Sequence, residues 1–344
     1  MTNTKTKDVI WNKALPVING AFSPDGGPKA NYTTNLNMCE TSNKGFELAL
    51  NTRNIITKNF TWSSSVTFNH NKEKITKLSG GDSDVLNNGD TGYALALGEA
   101  INSYYHYKLD GVWQKGEETD AAVFGAAPGD LKINIPNLVK ESDGRFYKID
   151  EETGSAAVDE NGNVIYYTSD NKYTPSDADY QILGHNSPDW SLGFQNNFTW
   201  KDFDLSVFVY ARYGQMFAYD MLTSYDPKGI RNFPTYFNYW TENNPSNDFP
   251  AANANKGLEQ YTGYYALRYV DGSFIKIKNI TLGYSLPKSI LKSAGIEKCR
   301  FYATITNPFV FAKSHLLKDY DPEMNGSLKY PLTKQFVFGV NVTF

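Results

Sequence analysis

Residues 190–213 read WSLGFQNNFTW, then Lys201-Asp202, then FDLSVFVYARY. In the first run Leu192, Phe194, Phe198 and Trp200 share one parity, while Ser191, Gly193, Gln195, Asn197 and Thr199 take the other. In the second, Leu205, Val207, Val209, Ala211 and Tyr213 stand opposite Ser206, Phe208, Tyr210 and Arg212. A period of two puts successive side chains on opposite faces of a strand. The stretch therefore predicts two amphipathic strands joined by a two-residue hairpin. Segments of about ten residues are also what a tilted strand needs to cross a bilayer.

The same pattern recurs in GFELALNTR and FTWSSSVTFNH, joined by Thr57-Lys58-Asn59. In CRFYATITN, Phe301, Ala303 and Ile305 oppose Arg300, Tyr302, Thr304 and Thr306. In SFIKIKNITLGYSLP the apolar phase slips between Ile277 and Ile280, which predicts a β-bulge. The reading is all-β, with about ten antiparallel strands: 5–11, 45–56, 60–75, 103–114, 130–135, 190–200, 203–213, 266–286, 298–312 and 333–344. Connections are short at 57–59, 201–202 and 287–297 and long at 76–102, 136–189, 214–265 and 313–332; 115–129 fits neither class. An aromatic content of 15%, with 24 Tyr and 21 Phe against 5 Met, suits strands better than helices.

Alternating short and long connections belong to a transmembrane β-barrel, although a soluble sandwich also alternates apolar and polar positions. Two features favour the barrel. The polar faces carry Ser, Thr, Asn and Gln, which a watery lumen tolerates, and Trp62, Trp113, Trp190, Trp200 and Tyr284 gather at strand ends, where interfacial aromatic girdles belong. The chain also closes on Phe336, Phe338, Val340, Val342 and Phe344, one apolar parity running to the terminus. On a soluble sheet such an edge would invite aggregation.

Other classes are poorly supported. A net charge of -4 offers no basic stripe for nucleic acid. Cys39 and Cys299 give no disulfide framework, and His70, His106, His185 and His315 lack metal-binding spacing. No apolar run approaches a membrane-spanning helix, and MTNTKTKDVI has no signal-peptide core. Without a GxSxG, P-loop or dinucleotide fingerprint, no enzymatic activity is expected.

Several segments, in order along the chain, carry a resemblance: KTKDVI, SNKGFELAL, NFTWSSSVTFNHNKEKI, DGVWQKGEE, APGDLKI, ILGHNSPDWSLGFQNNFTWKDFDLSVFVYARYG, YWTENNPSNDFPAAN, the run from RYVDGSFIKIKNITLGY to FYATITNPFVFAK, and DYDPEM. Together they resemble the C-terminal half of SusC/RagA-type TonB-dependent outer-membrane transporters of Bacteroidetes. The resemblance implies the C-terminal portion of a plugged barrel of about 22 strands, with the plug, TonB box and early strands outside residues 1–344. It implies import of a glycan, oligosaccharide or peptide together with a SusD-like surface lipoprotein, energised by the TonB complex through the N-terminal region. It also implies an outer-membrane location with a periplasmic C-terminus, and a terminal aromatic strand read by the barrel-assembly machinery. A soluble or surface-attached β-rich glycan-binding protein, and a truncated barrel fragment without transport, remain alternatives.

Four groups of residues are candidate sites. Phe233, Phe237 and Trp240 stand at helical spacing with Tyr236 and Tyr239 beside them, suited to stacking on sugars, contacting the lipoprotein lid or packing on the barrel rim. Asp159, Asn161 and Asn163 match the odd-position oxygens of a calcium loop, yet Asp170 occupies the place of the bidentate Glu, and a plain β-turn is the alternative. Asp319, Asp321 and Glu323 lie close enough to raise glycoside hydrolysis or, without catalytic precedent, a loop cap. Gln195, Asn197, Ser206, Tyr210 and Arg212 would line the lumen and meet solute, water or plug, the fork-shaped Arg212 suiting a carboxylate.

Overall fold

In the computed structural model, which describes residues 1–14, 33–78, 85–88, 93–224, 234–292 and 295–344, the alternating segments join into one sheet. Its eight strands are β1 (Thr2–Ala14), β2 (Thr33–Ile56), β3 (Phe60–Leu78), β4 (Trp190–Trp200), β5 (Phe203–Tyr213), β6 (Phe274–Ser285), β7 (Lys298–Ala312) and β8 (Gln335–Thr343). Each pairs antiparallel with the next in sequence, so the sheet is an open meander with β1 and β8 at its edges among the described residues.

Two of the expected strands do not belong to this sheet. β3 pairs directly with β4, from Phe60 opposite Trp200 to His70 opposite Trp190. Residues 79–189 are thus a single long connection. Within it Ser103–His106 pairs with Tyr93–Ala96 and Gln181–His185, and Lys108–Val112 pairs with Leu131–Asn134. Alternation over four or five residues carries the same signal in either setting, which is why 103–114 and 130–135 resembled crossing strands. The segment 115–129, which fitted neither connection class, lies inside this excursion and holds the short helix Glu118–Val123. The strand expected over 266–286 likewise divides: Tyr264–Arg268 is a 3-10 turn, Tyr269–Asp271 pairs with Met216–Ala218, and the sheet strand begins at Phe274.

The predicted bulge falls at Lys278. Register steps from Phe208 opposite Asn279 to Val209 opposite Ile277, and on the other side from Ile277 opposite Phe309 to Asn279 opposite Thr306. One extra residue restores the phase, so Lys276 and Asn279 both lie on the polar face although three positions apart.

The largest buried apolar cluster is not in the sheet. Val112, Phe217, Leu222, Phe237, Trp240 and Phe249 belong to a core built from the long connections at one end of it. A smaller cluster of Cys39, Ile75 and Leu95 forms where the β2–β3 hairpin reaches up to those connections. Cys39 and Cys299 are both buried and free. No described helix is long and apolar enough to cross a membrane.

Candidate functional site

On one face of the sheet large apolar side chains stand open: Leu50, Ile275, Leu282, Phe301 and Phe336 are each about half exposed or more. Aromatic rows bound this face. Phe46, Phe68, Trp190 and Tyr213 run across β2 to β5 with ring centroids 6.3, 6.1 and 5.5 Å apart. Near the short turns, Trp62 stacks on Phe198 at 5.8 Å, and Phe203 lies 6.3 Å from Trp200 and 4.7 Å from Tyr284. From Trp190 to Trp200 the chain covers roughly 34 Å at ~3.4 Å per residue. A tilt of ~45° reduces that to about 24 Å, matching the ~25 Å apolar band of outer-membrane barrels. Trp113 is not part of either row; it is buried among the long connections, with Lys132 Nζ 4.4 Å from its ring centroid.

The apolar face also carries polar residues, Ser64 of β3 and, directly opposite it on β4, Asn196. Its Oδ1 accepts from Trp62 Nε1 at 3.1 Å and Ser64 Oγ at 2.8 Å. Hydrocarbon offers no hydrogen bonds of its own, so pairing of this kind is required there.

The opposite face is hydrogen-bonded and charged. Gln195 Nε2 donates to Ser206 Oγ at 2.6 Å and to Asn197 Oδ1 at 3.2 Å. Arg300 makes a two-pronged bond to Asp204, at 2.8 and 2.6 Å, reaching across β6 at Gly283. A Cβ there would collide with both partners, so the glycine opens the path. Arg212 Nε donates to Tyr210 Oη at 2.7 Å. Both line a recess of about 320 Å³ with Asn186, Ser187, Pro188, Ser191, Gln215 and Asn325.

The acidic trio divides. Lys276 Nζ, fully buried, donates to Asp321 at 2.5 Å and Glu323 at 2.8 Å, and Lys278 Nζ donates to Glu323 at 2.6 Å. Burial alone would raise the Glu323 pKa, but the two lysines hold it below the usual carboxylate range. Asp319 stands at a left-handed position, φ 64°, outside these contacts. Two lysines and two carboxylates fasten the β7–β8 connection to β6, as a loop cap would. Two positions apart on β6, the two lysines share the inner face by ordinary strand alternation.

Phe233 lies outside the described residues. The rest of the aromatic loop is a turn with short bridges rather than a helix: Phe237 N donates to Pro234 O at 3.0 Å, and Tyr239 bridges Phe249. Tyr236 packs edge-on against Phe237, and Phe237 stacks on Phe249 at 4.3 Å. Trp240 is buried, its Nε1 donating to Gln114 Oε1 at 3.0 Å, while Tyr239 is 40% exposed. Most of these rings thus supply the connections' own core, a role that spacing alone does not distinguish from a binding surface.

Asp159, Asn161 and Asn163 occupy an exposed turn in which Asp159 Oδ1 accepts from the backbone N–H of Asn161 and Asn163, each at 2.9 Å. In β8, Phe336, Phe338, Val340 and Val342 lie opposite Ile305, Ala303, Phe301 and Cys299; Phe344 follows the strand and is 88% exposed.

An antiparallel meander with an outward apolar band, aromatic rows at both borders, a polar inner face and connections short on one side and long on the other is part of the wall of a transmembrane β-barrel. Comparison with known proteins agrees. No protein-family model matches. Over 99% of its length the chain is 28% identical to TonB-dependent receptors P3 and P26 of Formosa agariphila and 26% identical to TonB-dependent receptor SusC of Bacteroides thetaiotaomicron. It spans about a third of these curated relatives, 31%, 32% and 29% of their respective lengths. Among solved structures it is similar in fold to one of the RagAB peptide transporter, with TM-score 0.69 and 23% identity, covering 99% of this chain and 32% of that one. A structure of the RagAB peptide importer in a closed-closed state gives 0.67 at the same identity, over 99% and 33%. The chain is thus similar in sequence to TonB-dependent receptors, SusC among them, and similar in fold to the RagAB structures, in line with the resemblance its sequence carries. The curated relatives are named as receptors, not enzymes.

Proposed function

We propose that this chain is the C-terminal part of the barrel wall of an outer-membrane importer that takes up a glycan or peptide nutrient. The observation that carries the reading is the inversion of the sheet: apolar band outward, hydrogen-bonded and charged face inward, over a height that fits the membrane. Open strands at β1 and β8 leave backbone donors and acceptors that lipid cannot satisfy, so closure requires further strands. In the complete transporter a plug and TonB-contacting region would precede this segment, and a SusD-like lipoprotein would cover the long connections. The short turns and Phe344 would face the periplasm, with β8 offering its terminal aromatics to the assembly machinery. No cofactor is needed for this role. Calcium at Asp159, Asn161 and Asn163 is a secondary proposal, tested by whether a chelator lowers the melting temperature of the cap formed by the long connections.

Uptake of labelled oligosaccharides and peptides by cells carrying the full-length transporter and its neighbouring lipoprotein tests the reading. Accumulation that stops when either the transporter or TonB is removed is the expected result. Accumulation indifferent to both would overturn it.

A further inference from the structure

We infer that the recess at the long-connection end of β4 and β5 is a carboxylate-binding subsite for the imported solute, an inference that rests on the import reading above. Ser191 and Arg212 lie opposite one another there, on the inner face at the ends of their strands. Among the recess's eight lining residues Arg212 is the only charged one; the others are Asn186, Ser187, Pro188, Ser191, Tyr210, Gln215 and Asn325. The opening is therefore rich in donors and holds one positive charge.

Charge pairing on the neighbouring strands sets Arg212 apart. β5 and β6 carry four charged side chains, Asp204, Arg212, Lys276 and Lys278. Asp204 is matched by Arg300, and the two lysines by Asp321 and Glu323. Arg212 alone among them has no ion pair within the described residues. The nearest acid in sequence across the hairpin, Asp189, faces His185 at 3.6 Å.

The guanidinium is also oriented. Its Nε is held by Tyr210 Oη, and its carbon lies 5.3 Å from the Tyr210 ring centroid and 6.0 Å from that of Phe274. The Nη groups make no hydrogen bond within the described residues, and the Tyr210 oxygen, already accepting from Arg212, keeps its own proton to donate. A carboxylate offers two in-plane acceptors that match this fork. Behind it, Asn325 Nδ2 donates to Asn186 Oδ1 at 3.0 Å, Asn186 Nδ2 to Tyr104 Oη at 3.0 Å, and Gln215 Nε2 to Asn325 Oδ1 at 2.6 Å. That amide network fixes the recess before any ligand arrives, which lowers the ordering cost of binding.

The ligand chemistry has two sources, the free C-terminus of a peptide and the uronic acid of a glycan. Calorimetry on the full-length transporter would use two matched pairs: a short peptide as free acid and as C-terminal amide, and a uronic-acid oligosaccharide with its neutral-sugar counterpart. In the unaltered protein the acid member of one pair should bind about tenfold to a hundredfold tighter, the range of one charge-assisted hydrogen-bonded contact. Arg212→Gln should erase that preference, so that the acid and neutral members of the pair bind alike. Whichever pair shows the preference identifies the source. Equal binding within both pairs overturns the subsite but leaves the import reading standing; no binding of any of the four overturns both. Discrimination that survives Arg212→Gln, with faster proteolysis of the N-terminal plug, assigns Arg212 to a plug carboxylate and overturns the proposal. The comparison within each pair on the unaltered protein does not depend on the variant's folding.

Discussion

In the sheet Phe338 is 80% exposed to solvent, whereas in the long connections Phe237 is 5% exposed, although both are phenylalanines in well-formed structure. The two regions bury apolar area against different partners. The connections follow the aqueous rule, closing Trp240, Leu222 and Phe249 into a core of their own. The sheet reverses it, because its outward face meets hydrocarbon and its inward face meets water. Exposure measured in water thus reads as a defect in the wall and as ordinary packing in the cap. The same kind of substitution should accordingly fail in different ways in the two regions.

Trp240→Ala should have the largest effect, costing the cap about 3–5 kcal/mol by leaving a cavity. It also strands Gln114 Oε1, which accepts from the indole. Faster hydrogen exchange over 93–189 and 234–271, with the barrel still heat-modifiable on electrophoresis, is the expected result. Simultaneous loss of barrel assembly would show that wall and cap are one cooperative unit. Next comes a pair of adjacent positions in β4. Phe194→Arg faces the middle of the apolar band and should cost about 2–4 kcal/mol, lowering outer-membrane levels, while Gln195→Arg on the inner face should be near neutral. Equal losses from both would break the inside–outside assignment.

The smallest effect concerns pH. His106 lies in the cap, stacked on Tyr180 at 4.9 Å, and burial followed by the nearby Arg268 lowers its pKa to about 4. The folded imidazole stays neutral while the unfolded one takes up a proton near its ordinary pKa of 6.5. Its stabilising contribution is complete above pH 6.5 and is lost as pH falls from there toward 4. The cap's melting temperature should decline over that interval, and His106→Phe, which keeps a ring on Tyr180, should flatten the decline. An unchanged slope would place the sensitivity elsewhere.

The wall was largely legible in the sequence because membrane strands repeat one rule at every second residue. The hairpins around Thr57-Lys58-Asn59 and Lys201-Asp202 follow from it, as does the bulge at Lys278. β2 was recognised only from residue 45, since Thr33–Lys44 extends beyond the apolar band and loses the alternation. The cap was not legible. Trp113 and the segment 103–114 carry aromatics and short alternation like any crossing strand, and nothing local separates a ring in a girdle from a ring in a core. Nor does spacing separate Trp240 buried on Gln114 from a surface aromatic.

The sequence by itself determined the strand faces, the register of the hairpins and the side on which connections are short, because these follow from a period of two and from turn length. Tertiary structure decided how many strands reach the wall, which aromatics fill the cap, and which charges are matched. Asp321 and Glu323 meet Lys276 and Lys278 across more than forty residues of chain, and Arg212 meets no carboxylate among the described residues. Pairing of that kind depends on three-dimensional proximity, which no local pattern encodes.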